Sequence, residues 1–189
     1  MSGELFAGLM SGTSLDGVDA VLADFSAMPP KVLARAHHDF DAALRAELLA
    51  LNASGADELD RSARCANELA RRYAAVVGEV LGRARIAPDA LRAIGCHGQT
   101  VRHRPDRGYT VQLGNAALLA ELCGARVVAD FRSRDIAAGG QGAPLAPAFH
   151  AAVLRSPREH RAVLNVGGIA NLTWLPPAGA VVGLSLIHI

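Results

Sequence analysis

The sequence predicts an α/β domain built on a mixed sheet, and three observations lead there. Short strand-like runs joined by tight turns open the chain, which predicts an antiparallel meander. Helical and strand-like patterns then alternate, which adds parallel neighbours to the sheet. The polar and glycine-rich segments fall at strand ends, where open α/β sheets bind ligands.

Leu5 to Met10 is the first apolar run, and Ser11-Gly12-Thr13-Ser14 turns it back into a second strand, Val18 to Phe25. Pro29-Pro30 marks the next turn and Lys31 to His38 the third strand. Asp41 to Leu51 reads as a helix. A longer one runs from about Asp57 to Leu81, with Leu59, Ala63, Ala66, Leu69, Tyr73, Val76, Val77, Val80 and Leu81 at spacings of three and four. Arg61, Arg64, Glu68, Arg71, Arg72 and Glu79 give it a solvated outer face, and Gly82 and Pro88 bracket its end. Leu91 to Cys96 is expected as a strand leading into a His97-Gly98-Gln99-Thr100 loop. Tyr109 to Leu113 (strand), Ala116 to Leu122 (helix) and Arg126 to Phe131 (strand) follow. A glycine-rich loop, a helix over Phe149 to Leu154, and strands over Arg161 to Val166 and Ile169 to Trp174, hinged on Gly167-Gly168, complete the reading.

Composition narrows the function. Hydrophobic residues make up 51% and charged residues 20%, enough to bury a core. A formal net charge of +1 and 4% aromatics offer neither the basic surface nor the stacking platforms expected of a nucleic-acid or anionic-membrane binder. No apolar run reaches the ~18 residues that span a bilayer, and Met1-Ser2-Gly3-Glu4 lacks the basic start of a signal peptide, so a cytoplasmic protein is expected. Cys65, Cys96 and Cys123 are far apart and odd in number, which fits reduced thiols better than disulfides or zinc.

Three segments carry potential chemistry. The first is Gly8 to Asp19, a strand–turn–strand with hydroxyls at Ser11, Thr13 and Ser14 and carboxylates at Asp16 and Asp19. Glycines let backbone N–H groups approach a phosphate, and Asp16 or Asp19 suits a magnesium ion. The same glycines are equally compatible with an ordinary hairpin. The second is Cys96-His97-Gly98-Gln99-Thr100, polar groups suited to a sugar, with His97 either a general base or a backbone cap. The third is Asp130 to Asp135 with Gly139-Gly140-Gln141-Gly142, where Arg132 and Arg134 suit a carboxylate or phosphate, or else surface ion pairs. A P-loop, a dinucleotide fingerprint, a nucleophile elbow and His-Glu-x-x-His metal spacing are all absent. His37 and His38 are adjacent and point to opposite faces of a strand, so they do not readily share one ion.

Taken together, GLMSGTSLDGVD (Gly8 to Asp19), IGCHGQTVRH (Ile94 to His103), TVQLGN (Thr110 to Asn115), ADFRSRDIAAGGQGAPLAPAFH (Ala129 to His150) and LNVGGIANLT (Leu164 to Thr173) resemble, in order, the blocks of the anhydro-N-acetylmuramic acid kinases. The resemblance covers nearly all of residues 5–183. It implies an actin-like ATPase (ribonuclease H-like) α/β domain, the first of two, over residues 1–183. It implies use of ATP with Mg2+, hydrolytic opening of the anhydro bridge, and phosphorylation to N-acetylmuramate 6-phosphate. Carried over by position, Gly12, Thr13, Ser14, Leu15, Asp16, Gly17, Val18 and Asp19 would form the ATP phosphate loop, with Asp16 and Asp19 toward the metal. His97, Gln99, Gln112, Asn115, Arg132 and Arg134 would face the sugar.

One departure stands out. The resemblance implies that Val181-Val182-Gly183 leads into Phe-Asp-x-Gly-Pro-Gly-Asn, whose Asp would be the general base. Here Leu184 to Ile189 follows, expected as a non-family tail, so the chain as given is expected to be inactive. The alternative is a non-catalytic sugar- or nucleotide-binding module. A homodimer is compatible with the resemblance.

Overall fold

The structure, a computed structural model, describes residues 3–166 and 170–186. The Gly167-Gly168 hinge expected from the sequence, and Ile187 to Ile189 of the expected tail, lie outside the described residues.

The opening meander forms as the turn signals predict. Strands β1 (Leu5–Ser11), β2 (Gly17–Asp24) and β3 (Lys31–Asp39) pair antiparallel in succession. Alternation places Leu5, Ala7, Leu9 and Ser11 of β1 inward, together with Val18, Ala20 and Leu22 of β2. Two helices follow, α1 (Ala42–Ala50) and α2 (Glu58–Ala84). Asp41 caps α1, its carboxylate accepting from the Leu44 N–H at 2.8 Å. The buried stripe of α2 runs through Leu69, Tyr73, Val76, Val77, Val80 and Leu81 onto the inward face of the sheet. Leu59, expected in that stripe, is 89% exposed, because in the first turn of α2 its side chain faces solvent and not the sheet. Gly82 does not end the helix. It runs on to Ala84, and Arg85, in the left-handed region, closes it with Ile86 N–H bonded to Leu81 O.

Strand β4 (Ala93–Arg104) lies parallel to β1 and departs from expectation. His97 to Thr100 is not a loop after a short strand. It is an irregular stretch inside a 12-residue strand. The register slips between Leu9↔Cys96 and Ser11↔Gln99, so one extra β4 residue bulges at His97–Gly98. Beyond it, β4 folds back as a hairpin with β5 (Tyr109–Leu113). Helix α3 (Ala116–Cys123) packs on α2, and β6 (Val127–Val128) adds parallel to the start of β4. The expected strand Arg126 to Phe131 shrinks to Val127–Val128, because Asp130 at φ 57° turns the chain into a short helix, α4 (Ser133–Ala137).

Helices α1, α2 and α3 cover one face of this sheet. The opposite face leaves Met10, Val21, Val32 and Val128 exposed. After α5 (Ala146–Leu154), β7 (Arg161–Asn165), β8 (Ala170–Leu175) and β9 (Val182–Leu186) make a separate antiparallel meander. Residues 184–186, expected as a tail, continue β9 and pair with β8.

Candidate functional site

Strands β1, β4 and β6 run parallel, so the segments that follow β1 and β6 and the bulge in β4 meet near one edge of the sheet. His97 and Arg132, distant in sequence, come together there. Arg132 donates to His97 Nε2 from Nε at 3.0 Å and from Nη2 at 2.8 Å, and to Gly142 O from Nη1 at 2.5 Å. His97 Nδ1 lies 2.7 Å from Gly98 O and therefore carries the ring proton. The imidazole is neutral, and burial, then the Arg132 charge, holds its pKa below 6.5. Its lone pair is occupied by Arg132, so in this arrangement it is not a free general base. Burial also lowers the Arg132 pKa, and among the described residues no carboxylate pairs with the guanidinium. A half-buried cation satisfied only by neutral acceptors retains its attraction for an anion.

Beside this pair lies a cleft of about 360 Å³ with His97, Gly98, Gln112 and Ser133 among its walls. Gln112 Nε2 is committed to Thr110 Oγ1 at 2.7 Å and Thr100 Oγ1 at 3.2 Å. Asp135 anchors the glycine-rich loop that follows α4. Its carboxylate accepts from the Gly142 N–H at 2.6 Å, and a side chain at Gly140 would strike it. Sequence reasoning missed this role, although an acid a few residues before a glycine-rich loop is the signal for it.

The turn between β1 and β2 is held closed by Leu15 N–H on Gly12 O at 3.2 Å. Thr13, Ser14 and Asp16 are exposed at its tip. Ser14 Oγ donates to Asp16 at 2.7 Å, and this bond chiefly lowers the Asp16 pKa. Leu15 and Val18, carried over as loop residues, have side chains buried in the core. Gly17 is required sterically, since a Cβ there would lie 2.3 Å from His38 O. Asp19 sits on the uncovered face, 2.9 Å from His37 Nδ1, while His37 Nε2 is 3.1 Å from Asp39. Two carboxylates on one ring require both ring protons, and the His37 pKa is raised, first by the bond to Asp19. His38 points the other way, to Glu79 at 2.6 Å, as strand alternation predicts. Among the described residues no group of three or more His, Cys, Asp or Glu side chains is poised for a metal. Asp16, bonded to Ser14, and Asp19, paired with His37, are exposed carboxylates near the turn; each keeps an oxygen for a magnesium ion held largely by phosphate oxygens and water.

Two residues expected to face the sugar are engaged within the fold. Gln99 is fully buried, its Nε2 donating to Gly12 O at 3.0 Å beneath the turn. Asn115 caps α3 through Leu118 N–H at 2.9 Å and donates to Asn67 at 2.7 Å, so its amide holds helices. Arg134 is exposed on α4 with no side-chain partner among the described residues. Ser11, considered as a hydroxyl donor for a ligand, turns inward to Tyr73 OH at 2.7 Å and Gly98 O at 3.3 Å. The Ser11 proton serves the carbonyl, so Tyr73 is the donor in the pair. A tyrosine in an otherwise aliphatic stripe is the signal that pointed to a buried partner.

A six-stranded mixed sheet in the order β3-β2-β1-β4-β5, with β6 pairing parallel to β4 off that path and a glycine–hydroxyl turn after β1, defines an α/β domain, an arrangement compatible with the actin-like ATPase (ribonuclease H-like) class that the resemblance implies. The sequence model of the anhydro-N-acetylmuramic acid kinases matches residues 4–186, and the chain belongs to that family. It is 65% identical over 176 residues to the anhydro-N-acetylmuramic acid kinase of Bordetella petrii, covering 93% of this chain and 46% of that protein. It is 60% identical over 183 residues to the one from Thiobacillus denitrificans, covering 95% and 48%. The chain thus spans about half the length of the curated relatives it matches. Among solved structures, a Ppx/GppA family member from Aquifex aeolicus superposes with TM-score 0.41 at 10% identity, over 96% of this chain and 51% of that one. YeaZ from Pseudomonas aeruginosa gives 0.33 at 13% identity, over 96% and 67%.

Proposed function

We propose that this chain carries the phosphate loop and part of the sugar site of an ATP-dependent kinase. That kinase opens 1,6-anhydro-N-acetylmuramic acid with water and phosphorylates it to N-acetylmuramate 6-phosphate in the cytoplasm, during peptidoglycan recycling. Water adds at the anomeric carbon, the bond from that carbon to the bridging oxygen breaks, and the freed sixth oxygen takes the γ-phosphoryl group of ATP, leaving ADP. The observation that carries the reading is the family match over residues 4–186, on a chain whose glycine–hydroxyl turn and His97–Arg132 pair lie near one sheet edge.

The residues divide the work. The exposed tip of the Gly12–Asp16 turn offers backbone N–H and hydroxyl donors to phosphate oxygens. Asp16 and Asp19 would hold Mg2+, which neutralises phosphate charge as the phosphoryl group moves. Arg132, fixed by His97 and Gly142 O, would attract a carboxylate of the sugar, and Gln112 lines the cleft that His97 borders. The meander β7–β9, paired to no strand of the first sheet among the described residues, would open the second domain that the length of the relatives implies.

Titration of the chain with MgATP and with 1,6-anhydro-N-acetylmuramic acid, followed by amide NMR, tests the assignment. MgATP should shift residues 12–19, and the sugar should shift His97, Gln112 and Arg132. Failure of either ligand to shift its segment overturns the reading. Because this chain is expected to release no ADP under either reading, a coupled assay on a protein of the relatives' full length separates the two: sugar-dependent ADP release supports the kinase, and its absence favours a non-catalytic binding module.

A further inference from the structure

The buried amide of Gln99 lies directly beneath the turn. Its Nε2 reaches Gly12 O at 3.0 Å and Thr100 O at 3.4 Å. Both partners are carbonyls, so the orientation of the amide is determined: only its nitrogen can face them. Its Oε1 is buried and has no partner among the described residues. An apolar side chain of similar length would avoid that orphaned acceptor and leave Gly12 O bonded to Leu15 N–H. Fold stability therefore does not account for a glutamine here.

Peptide geometry offers another account. In a trans peptide the C=O of one residue and the N–H of the next point in opposite directions. Gln99 and Leu15 N–H draw Gly12 O inward, so the Thr13 N–H is turned outward at the tip of the turn. Neither the Thr13 nor the Ser14 N–H makes a hydrogen bond among the described residues. The ground under Gln99 is rigid, because Ser11 is tied to Tyr73 of α2 and to Gly98 O in the β4 bulge.

We propose that Gln99 is a positioning residue for nucleotide binding, orienting the Gly12–Thr13 peptide so that the Thr13 N–H faces a phosphate oxygen. The proposal rests on the reading of Gly12–Asp19 as the phosphate loop. Gln99 touches no ligand itself and acts through the peptide.

The test is MgATP titration of the chain followed by amide NMR, with urea unfolding alongside. Gln99→Met should keep or raise the unfolding midpoint and weaken MgATP binding roughly tenfold or more, the worth of one charge-assisted hydrogen bond. Thr13→Pro deletes the N–H at the turn position where proline is favoured, and should weaken binding to a similar extent. The double variant should bind no more weakly than the worse single one, because both changes remove the same bond. Wild-type affinity in Gln99→Met, or losses that add in the double variant, overturns the proposal. Should Gln99→Met fail to fold, Gln99→Asn, whose amide is one methylene too short to reach Gly12 O, must show the same loss. Wild-type affinity there is equally fatal. If MgATP shifts nothing in residues 12–19 of the unaltered chain, or Thr13→Pro binds normally, the phosphate-loop reading itself has failed.

Discussion

Arg132 donates twice to the Nε2 of His97, at 3.0 and 2.8 Å, and so holds an uncharged histidine against a charged guanidinium. The pair has a pH signature. With its folded pKa below the ordinary 6.5, His97 takes up a proton more readily in the unfolded chain. Its contribution to stability is therefore complete above that value and declines as pH falls from 6.5 toward the lower folded pKa. In urea unfolding between about pH 7.5 and about pH 5.5, His97 should contribute a loss of stability with acid, opposed by His37 with its raised pKa, and His97→Gln should remove that loss and shift the slope accordingly. An unchanged slope would refute a neutral His97.

Arg132 has no carboxylate partner among the described residues, so its removal should cost the fold little. Arg132→Met is expected to change stability by no more than about 1–2 kcal/mol, since the lost bonds go to neutral acceptors. It should weaken binding of the carboxylate-bearing sugar by about 1.5–3 kcal/mol, the worth of hydrogen bonds to a charged group. The His97 pKa should rise as the neighbouring cation disappears. Calorimetry and histidine NMR read the two effects separately.

Asn115 is a cap, and its substitution separates folding from binding. Asn115→Ala should cost about 1 kcal/mol of stability through loss of the Leu118 N–H bond at 2.9 Å. Sugar affinity should stay the same. A sugar-binding defect in a folded Asn115→Ala protein would restore the contact expected from the resemblance.

Gly98 holds the β4 bulge at φ 74°, and a Cβ there would lie 2.6 Å from Leu113 O. Gly98→Ala combines backbone strain with a backbone clash, so a loss of about 2–3 kcal/mol is expected on thermal or urea unfolding. The bulge aims His97, so the variant should also lose the lowered His97 pKa. A variant as stable as the parent would show that the bulge does not need glycine.

The opening meander, α1 and α2 were legible because their signals are local. Turn residues sit between alternating runs in the meander, and α2 repeats its apolar positions at helical spacing. The β4 strand was misread because Gly98 looks like a terminator in isolation. It is tolerated in mid-strand only because Gln99 to Arg104 pair with β5 across a register slip. The length of β6 was also misjudged, since the left-handed Asp130 that ends it is not marked by a glycine.

At the site the division follows side-chain direction. Residue types alone pointed to Gly12–Asp19, His97 and Arg132, because glycines with hydroxyls, a histidine after an apolar strand and an arginine near a glycine-rich loop each suit phosphate, sugar or anion chemistry; that His97 and Arg132 pair was decided by the fold. Which polar groups face a ligand and which serve the fold depends on contacts between distant segments. Gln99 reaches Gly12 across 87 residues, Ser11 reaches Tyr73 across 62, and Asn115 reaches Asn67 across 48. Local pattern carries no record of such pairings. They are settled when parallel strands align their ends and a buried amide or hydroxyl must find a partner or remain unpaired.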